Sequence, residues 1–300
     1  SLQIRLKDGV PILFLHPHEQ IVTRDPRIVH QNVRSAELVA HFLDQVAHLF
    51  CVGHVHTAGQ RSAPRLRDEG FESPQLDYTD EASITRALDQ VLSSTGGTLD
   101  ALYNNGAFAV PGAVEDLPPG ALREIFEGNF FGWHTLTRAV IPVMRRQGHG
   151  RIVNCSSVLG LVPMPWRGAY VSSKFALEGL TDVLRIEMRD TDIKVILIEP
   201  GPITSRIRAN SVPYFEKWLD WKASPRAAQY ETSLLRRLYA SPSKDRFELP
   251  PSAVTDVLAR ALEHPRPKPR YYVTVPTHLM GRLRRILPTT ALDALIDRAR

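Results

Sequence analysis

The strongest constraint on the fold is a strand–helix–strand pattern in the second half of the chain. Residues 151–157 have the pattern of a buried strand that ends in a serine pair, and residues 195–201 have that of a second buried strand. A helical pattern that begins at Tyr170 lies between them. Two such strands joined through a helix form a right-handed parallel crossover, and ligands bind beyond the carboxyl ends of the strands in such sheets. The pattern predicts an α/β fold with a doubly wound parallel sheet flanked by helices.

Tyr170 and Lys174 lie four positions apart at the start of the predicted helix. This spacing places the phenol and the ammonium on one helical face. A positive charge close to a tyrosine favours the phenolate and lowers its pKa from about 10. The pair is therefore a candidate proton shuttle, and Ser157 at the end of the preceding strand converges on the same place. The alternative is an ordinary amphipathic face exposed to solvent.

Other elements are predicted along the whole chain. The predicted strands cover residues 10–15, 51–57, 72–76, 99–103 and 271–275, and the predicted helices cover residues 32–50, 81–93, 122–144 and 252–262. No repeat or linker divides residues 1–300, so we predict a single domain. Residues 206–250 carry aromatic side chains among polar ones, which indicates a mobile, partly helical substrate cover. Residues 251–300 supply a helix, a strand and a basic tail.

Two asparagines are further candidate site residues. Asn104 lies in the turn Asn104–Ala107 after a predicted strand, where Gly106 permits a close approach of the backbone. Asn129 lies among phenylalanines in the long predicted helix. A buried amide needs hydrogen-bond partners, so Asn129 is either a structural residue or part of a site.

Residues 1–55 differ in composition from the rest of the chain. A strand, loop and helix at this place normally bind phosphate through glycines, but Gly9 is the only glycine between Ser1 and Val52. Seven of the eleven histidines lie within residues 1–56: His16, His18, His30, His41, His48, His54 and His56. Without a cysteine or carboxylate cluster, a compositional origin is favoured over a metal site, and we predict none. The sequence predicts an irregular N-terminal segment.

The basic charge is concentrated at the C-terminus. Residues 266–300 contain eight basic and two acidic side chains, which leaves +6 there against +5 for the whole chain. The interleaved apolar and basic residues 279–287 could contact an anionic membrane or line the mouth of a site for lipophilic or anionic ligands, although a surface helix with solvated arginines is the simpler interpretation. No nucleic-acid-binding module accompanies the charge. Only two cysteines are present, and no apolar run reaches the length of a membrane span, so we predict a soluble, cytoplasmic protein.

From about Arg65 onward these motifs, in this order, resemble the short-chain dehydrogenase/reductase family, which are one-domain Rossmann enzymes that use NAD(H) or NADP(H). The sequence is most similar to the branch that acts on lipophilic alcohols, aldehydes, steroids or retinoids. The matching motifs are Asp77, Asn104–Ala107, Asn129, Ser156–Ser157, Tyr170–Lys174 and Pro200–Gly201.

The resemblance implies a role for each of these residues. Tyr170 would exchange a proton with the substrate oxygen, Ser157 would hold that oxygen, and Asn129 would hold a water in the proton relay. Lys174 would lower the pKa of Tyr170 and bind the nicotinamide ribose. The residues implied to line the cofactor are Asp77 at the adenine, Asn104 and Gly106 along its length, and Pro200, Gly201, Ile203 and Ser205 beside the nicotinamide.

The sequence departs from the family pattern in two places. The family turn reads Asn-Asn-Ala-Gly, whereas here Gly106 precedes Ala107. The glycine-rich loop after the first strand is missing, and a pyrophosphate needs the close backbone N–H groups that such a loop presents. No acidic residue ends the second predicted strand, and Arg61 lies near enough to meet a 2′-phosphate, so NADP(H) is the preferred cofactor in this prediction.

The sequence is compatible with two functions from different classes. The first is an oxidoreductase that interconverts a hydrophobic alcohol and its carbonyl compound, acting as a homo-oligomer through the helices at residues 122–146 and 172–190. The second is a non-catalytic binding or dimerisation protein that has lost its phosphate loop. A frame slip that replaced the native N-terminal residues would also explain the missing glycines.

Overall fold

The computed structural model describes the backbone of residues 12–15 and 50–52, and all atoms of residues 73–240 and 245–298. The helix predicted at residues 32–50, the N-terminal histidines and Arg61 lie outside the described residues. The structure confirms the predicted α/β architecture, a parallel sheet flanked by helices.

Six parallel strands form the sheet in the order β2-β1-β3-β4-β5-β6. The strands are β1 (Ile12–Leu15), β2 (Phe50–Val52), β3 (Ala101–Asn104), β4 (Gly150–Cys155), β5 (Ile193–Glu199) and β6 (Arg270–Tyr272). The chain runs outward from β1 to β2 and then returns across β1 to β3, so the strand order reverses between β1 and β3. Ligand sites in open parallel sheets lie outside the carboxyl ends of the strands at such a reversal.

The helices cover the sheet. They are α1 (Glu81–Ser94), α2 (Pro119–Phe126), α3 (Gly132–Gln147), α4 (Gly168–Glu187), α5 (Ile207–Trp218), α6 (Ala227–Gln229), α7 (Arg236–Tyr239), α8 (Ser252–Glu263), α9 (Val275–Ile286) and α10 (Thr289–Arg298). Short 3-10 turns occupy Val114–Asp116, Val158–Gly160 and Met188–Asp190, and π-helical turns occupy Glu127–Phe131 and Tyr230–Leu235. The cover predicted at residues 206–250 is thus partly helical.

Local chemistry explains where several helices begin and end. Asp80 caps α1 by accepting a hydrogen bond from the backbone N–H of Ala82 at 2.9 Å. Pro119 opens α2 because its fixed φ suits the first turn, so the long helical segment begins three residues before the predicted position. Gly148 ends α3 in the left-handed conformation (φ 83°), as expected for a glycine after a helix.

One predicted strand was wrong, and another ends earlier than predicted. Residues 73–76 form no strand, and only Gln75 makes an isolated bridge; Pro74 has no N–H to donate to a ladder. The last strand ends at Tyr272 rather than at residue 275, because Thr274 already caps α9 and Pro276 occupies its first turn.

The C-terminal helices pack on the loop that follows β4. Leu292 and Ile296 of α10 form a small apolar cluster with Val162, against which Val158, Met280 and Leu287 also pack. This contact places α9 and α10 beside the carboxyl end of β4. Among the helices that the structure describes, none combines the length and apolarity needed to cross a bilayer.

Candidate active site

The carboxyl ends of the three central strands bring the predicted site residues together. β3 ends at Asn104, β4 is followed by Ser156 and Ser157, and β5 is followed by Pro200 and Gly201. The backbone N–H of Val158 donates to the carbonyl of Pro200 at 2.7 Å, which ties the serine loop to the turn after β5. Helix α4 begins at this edge and presents its first turns to it.

Tyr170 lies in the first turn of α4 and is 8% exposed. Burial raises the pKa of its phenol above the usual value, whereas a hydrogen bond with Ser157 and the positive charge of Arg167 lower that pKa. The Ser157 hydroxyl is held in turn, since it accepts from the backbone N–H of Leu159 at 3.1 Å. The phenol and the serine hydroxyl can therefore act on one oxygen atom of a substrate.

Lys174 lies one turn further along α4 and is 1% exposed. Its ammonium donates to the carbonyl of Cys155 at 2.8 Å and lies over the Trp133 ring, 4.4 Å from the centroid. The distance to the Tyr170 ring centroid is 5.6 Å. Burial lowers the pKa of Lys174 to about 8, against the raising effect of nearby acidic groups. Because an ammonium has three donors and the described contacts occupy one, Lys174 can bind further acceptors.

Arg167 is a site residue that the sequence reasoning missed. It stands immediately before α4 and, unlike Lys174, is among the groups that lower the pKa of Tyr170. Burial and the charges of Arg208 and Arg237 lower the pKa of Arg167 itself to about 10. Its position three residues before the tyrosine was the available signal.

Asn129 is fully buried in the π-helical turn Glu127–Phe131. Its amide accepts from the backbone N–H of Phe108 at 3.1 Å and donates to the carbonyl of the same residue at 2.9 Å. A longer contact of 3.4 Å joins it to Ser173, next to Lys174. The side chain thus clamps the segment after β3 to the helix that precedes the site, and π-helical turns are frequent at functional sites.

Asn104 begins a chain of buried polar contacts below the site. Its amide donates to Asn154 at 2.9 Å and to Thr137 at 3.2 Å, and Asn154 donates to Thr181 at 2.9 Å. Within the part of the chain that the structure describes, the Asn104 Oδ1 atom has no hydrogen-bond partner although it is buried. A buried acceptor of this kind suits a ligand that supplies a donor.

The glycines near the site are fixed by close packing. A Cβ atom at position 106 would lie 2.7 Å from the Tyr78 ring, which explains why Gly106 precedes Ala107 in this turn. A Cβ atom at Gly201 would lie 2.0 Å from the Thr274 hydroxyl. Both glycines therefore let neighbouring elements approach the carboxyl edge of the sheet.

The remaining predicted cofactor residues are placed less centrally. The carboxylate of Asp77 accepts from the backbone N–H and the hydroxyl of Thr79, both at 2.8 Å. Ile203 forms an isolated bridge with Leu249, and Ser205 is exposed. Arg61 lies outside the described residues, so its position relative to the site is a prediction from the sequence alone.

A buried ionic cluster next to the site was also missed. Arg270 at the start of β6 binds Glu199 and Asp182, both at 2.6 Å, and also Glu178. Burial raises the pKa of Glu199 to about 8, while Arg270 opposes this shift. Glu178 lies four residues after Lys174, so the spacing of charged residues along α4 was the signal.

Comparison with known proteins identifies the family. The family model described as short chain dehydrogenase matches residues 35–214. The chain belongs to the short-chain dehydrogenase family. It is thus an NAD(P)-dependent oxidoreductase, as the sequence motifs predicted.

Relatives and solved structures agree with this assignment. The "Uncharacterized oxidoreductase YbbO" of Escherichia coli K12 is 36% identical over 233 residues, which cover 78% of this chain and 80% of that protein. "Retinol dehydrogenase 8" of Bos taurus is 31% identical over 196 residues, 64% of this chain and 61% of that protein. A short-chain dehydrogenase/reductase from Burkholderia phymatum, solved in complex with NAD, has the same fold, with a TM-score of 0.68, 22% identity and 93% coverage of each chain.

The described residues fit the nicotinamide-ribose end of a dinucleotide. Lys174 has donors left for ribose hydroxyls, and the buried Asn104 Oδ1 atom lacks a donor. These groups and the Tyr170–Ser157 pair all lie at one edge of the sheet. The segment between β1 and β2, where the family binds the pyrophosphate, lies outside the described residues.

Proposed function

We propose that the protein transfers a hydride between a nicotinamide cofactor and a hydrophobic alcohol or carbonyl compound, with Tyr170 as the proton donor or acceptor. The observation that carries the proposal is a buried Tyr170 at the carboxyl edge of the sheet, with the Ser157 hydroxyl close enough to lower its pKa and the Lys174 ammonium 5.6 Å from its ring centroid. When bound, the cofactor supplies or accepts the hydride.

The protein's own residues handle the proton and the charge on oxygen. In reduction, Ser157 donates a hydrogen bond to the substrate oxygen while Tyr170 gives its proton to it. Arg167 stabilises the phenolate that remains, because its positive charge lowers the pKa of Tyr170. The ammonium of Lys174 adds a second positive charge 5.6 Å from the ring centroid. The Asn129 side chain holds the segment at Phe108 in place. We propose that the backbone carbonyl of Asn129 binds the water that returns a proton to Tyr170 through Lys174.

We propose NADP(H) as the preferred cofactor. The support is the absence of an acidic residue after the second predicted strand, and the presence of Arg61 as a partner for a 2′-phosphate. The role of the remaining cofactor residues follows the family pattern, with Asp77 at the adenine and Pro200, Gly201, Ile203 and Ser205 beside the nicotinamide.

The proposed substrate is hydrophobic. Tyr214 of α5 stacks on Phe108 with 4.2 Å between ring centroids, and Trp166 packs on Tyr230 at 4.7 Å, so aromatic rings surround the segments that lead to Tyr170. The name of the bovine relative, a retinol dehydrogenase, supports the same class of substrate. We further propose that the protein acts in the cytoplasm, in line with its low number of cysteines. We also propose that it acts as a homo-oligomer.

The second candidate function is binding without catalysis. It is favoured by the absence of glycines between residues 10 and 52, because a pyrophosphate needs close backbone N–H groups. Titration of the purified protein with NADPH and NADH, followed by nicotinamide fluorescence, separates the two candidates. Failure to bind either nucleotide at millimolar concentration would favour the non-catalytic function.

Substitution of Tyr170 tests the assigned chemistry. With retinal and other hydrophobic carbonyl compounds as substrates, Tyr170→Phe should lower kcat by about 10²–10⁴-fold, because general acid catalysis contributes that much. The dissociation constant for NADPH should stay nearly unchanged. Tyr239→Phe removes the same hydroxyl group from an exposed tyrosine on α7 and should leave kcat unaltered. Full turnover by Tyr170→Phe would show that another group donates the proton.

A further inference from the structure

Helix α9 has two apolar faces that point in different directions. Met280, together with Leu287 just after the helix, packs inward on the cluster formed with Val162 and α10. Val275, Leu279 and Ile286 are instead 64%, 48% and 76% exposed. At 100° per residue these three side chains fall within an arc of about 40° on the helix surface. We call Val275, Leu279 and Ile286 the outer stripe.

Basic side chains border the outer stripe. Arg282 lies about 20° outside this arc, and the exposed residues His278 and Arg285 lie further round the helix on the same side. In the described part of the chain, neither Arg282 nor Arg285 has a salt bridge, and Arg284 lies over the Phe175 ring at 4.6 Å. Helix α9 itself contains no acidic residue. The helix therefore presents apolar and cationic groups to the outside together.

The outer stripe lies on an element that borders the active site. The inner face of α9 packs with Val158 and Val162, which follow the catalytic Ser157 along the chain. Thr274, the residue before α9, packs against Gly201 in the turn after β5. A surface bound to the outer stripe would thus lie beside the route to Tyr170.

We propose that the outer stripe of α9 binds the surface of an anionic membrane, a property that goes beyond the proposed reaction and does not require turnover. The apolar side chains enter the boundary between headgroups and acyl chains, and Arg282 and Arg285 contact lipid phosphates. Charge complementarity selects this partner. In a symmetric contact the stripe would meet its own copy, and the arginines of the two copies would face one another.

Co-sedimentation with vesicles tests the proposal on the full chain without cofactor or substrate. The protein should bind vesicles of phosphatidylcholine with phosphatidylglycerol and remain in the supernatant with phosphatidylcholine alone. Binding should be lost at about 1 M salt, where the Debye length is about 3 Å. The double substitutions Leu279→Ser with Ile286→Ser, and Arg282→Glu with Arg285→Glu, should each lower the bound-to-free ratio by about tenfold or more.

A matched charge reversal serves as the control. Arg86→Glu with Arg260→Glu changes the net charge equally at exposed positions on α1 and α8, outside the segments predicted to form a dimer, and should leave vesicle binding unchanged. Equal loss in this control, or equal binding to both kinds of vesicle, would overturn the proposal. A changed sedimentation coefficient of the Leu279→Ser, Ile286→Ser protein without vesicles would assign the stripe to a contact between copies. Both α9 double variants should reduce a water-soluble carbonyl substrate at the wild-type rate. The loss of vesicle binding is therefore independent of the proposed reaction.

Discussion

Burial of the Lys174 ammonium reduces the stability of the fold. A fully buried ammonium loses its hydration, and among the described residues the carbonyl of Cys155 and the indole ring of Trp133 compensate for part of the loss. Burial accordingly lowers the pKa of Lys174 to about 8. Such a cost persists where a charge is needed in a fixed place, and we propose that at this position the charge stabilises a phenolate.

The lowered pKa of Lys174 predicts how the reaction depends on pH. In the proposed mechanism, reduction needs a protonated Tyr170 and a charged Lys174. Burial keeps the pKa of Tyr170 above its usual value, so the phenol stays protonated, whereas the ammonium is lost as pH rises through about 8. We expect kcat/KM for NADPH to be constant at about pH 6–7 and to fall about tenfold per unit above pH 8. Steady-state kinetics across this range measure the decline.

The variant Lys174→Arg provides the control for this profile. A guanidinium stays charged throughout the accessible pH range, so the alkaline decline should disappear even if the rate itself is lower. A decline at the same pH in the arginine variant would show that a group other than Lys174 titrates.

One face of helix α4 carries both candidate site residues and residues that stabilise the fold. Tyr170, Lys174, Glu178 and Asp182 follow each other at intervals of four residues, which keeps them on one side of the helix. The first two reach the site, and the last two bind Arg270. Because Arg270 also binds Glu199 just before Pro200, it joins α4 to the end of β5 and the turn that follows it.

Replacement of Arg270 should destabilise the protein strongly. Arg270→Met leaves Glu178 and Glu199 buried without their cation, and loss of one partner of a buried ion pair costs about 3–5 kcal/mol. Urea unfolding measures this loss. Arg185 binds Asp182 at 3.0 Å near the surface, so Arg185→Met should cost less than about 1 kcal/mol. Equal losses in the two variants would contradict the importance of burial.

The same variant should change the pH dependence of stability. Burial raises the pKa of Glu199 from about 4.3 in the unfolded chain to about 8 in the folded protein. Between these values the folded state binds more protons, so the free energy of unfolding falls as pH rises through the window. Arg270→Met removes the cation that opposes the shift, which should extend this decline to higher pH. Parallel pH curves for wild type and variant would contradict this.

The sequence predicted the central elements well because their signals are local. Strands β4 and β5 are buried on both faces, so their apolar runs stand out, and the serine pair and Tyr170–Lys174 lie directly after β4 and in α4. The sequence did not predict that Arg270 binds Glu199 or that Trp133 lies under Lys174. Both contacts join elements that are far apart in the chain and meet only in the folded protein. Pro74 should have excluded the strand at residues 72–76.

The whole molecule exposes a second group of apolar side chains, well separated along the chain from α9. Phe131 of the first π-helical turn is 47% exposed, and Val183 and Ile186 of α4 are 51% and 49% exposed. These positions lie in the two helical segments predicted from the sequence to form a dimer. Burying a large apolar side chain stabilises an interface by roughly 1.5–3 kcal/mol, and in a two-fold symmetric dimer each residue is buried twice.

We therefore expect a dimer that depends on α4 and not on α9. Sedimentation velocity should show a dimer for the wild-type protein, and Val183→Glu with Ile186→Glu should convert it to a monomer, because four carboxylates would be buried at the two-fold contact. Leu279→Glu with Ile286→Glu makes the same chemical change on α9 and should preserve the dimer while abolishing binding to anionic vesicles. A monomeric wild type, or dissociation by the α9 variant alone, would move the interface away from α4. The two double variants thus separate the surface that joins copies of the chain from the surface that meets lipid.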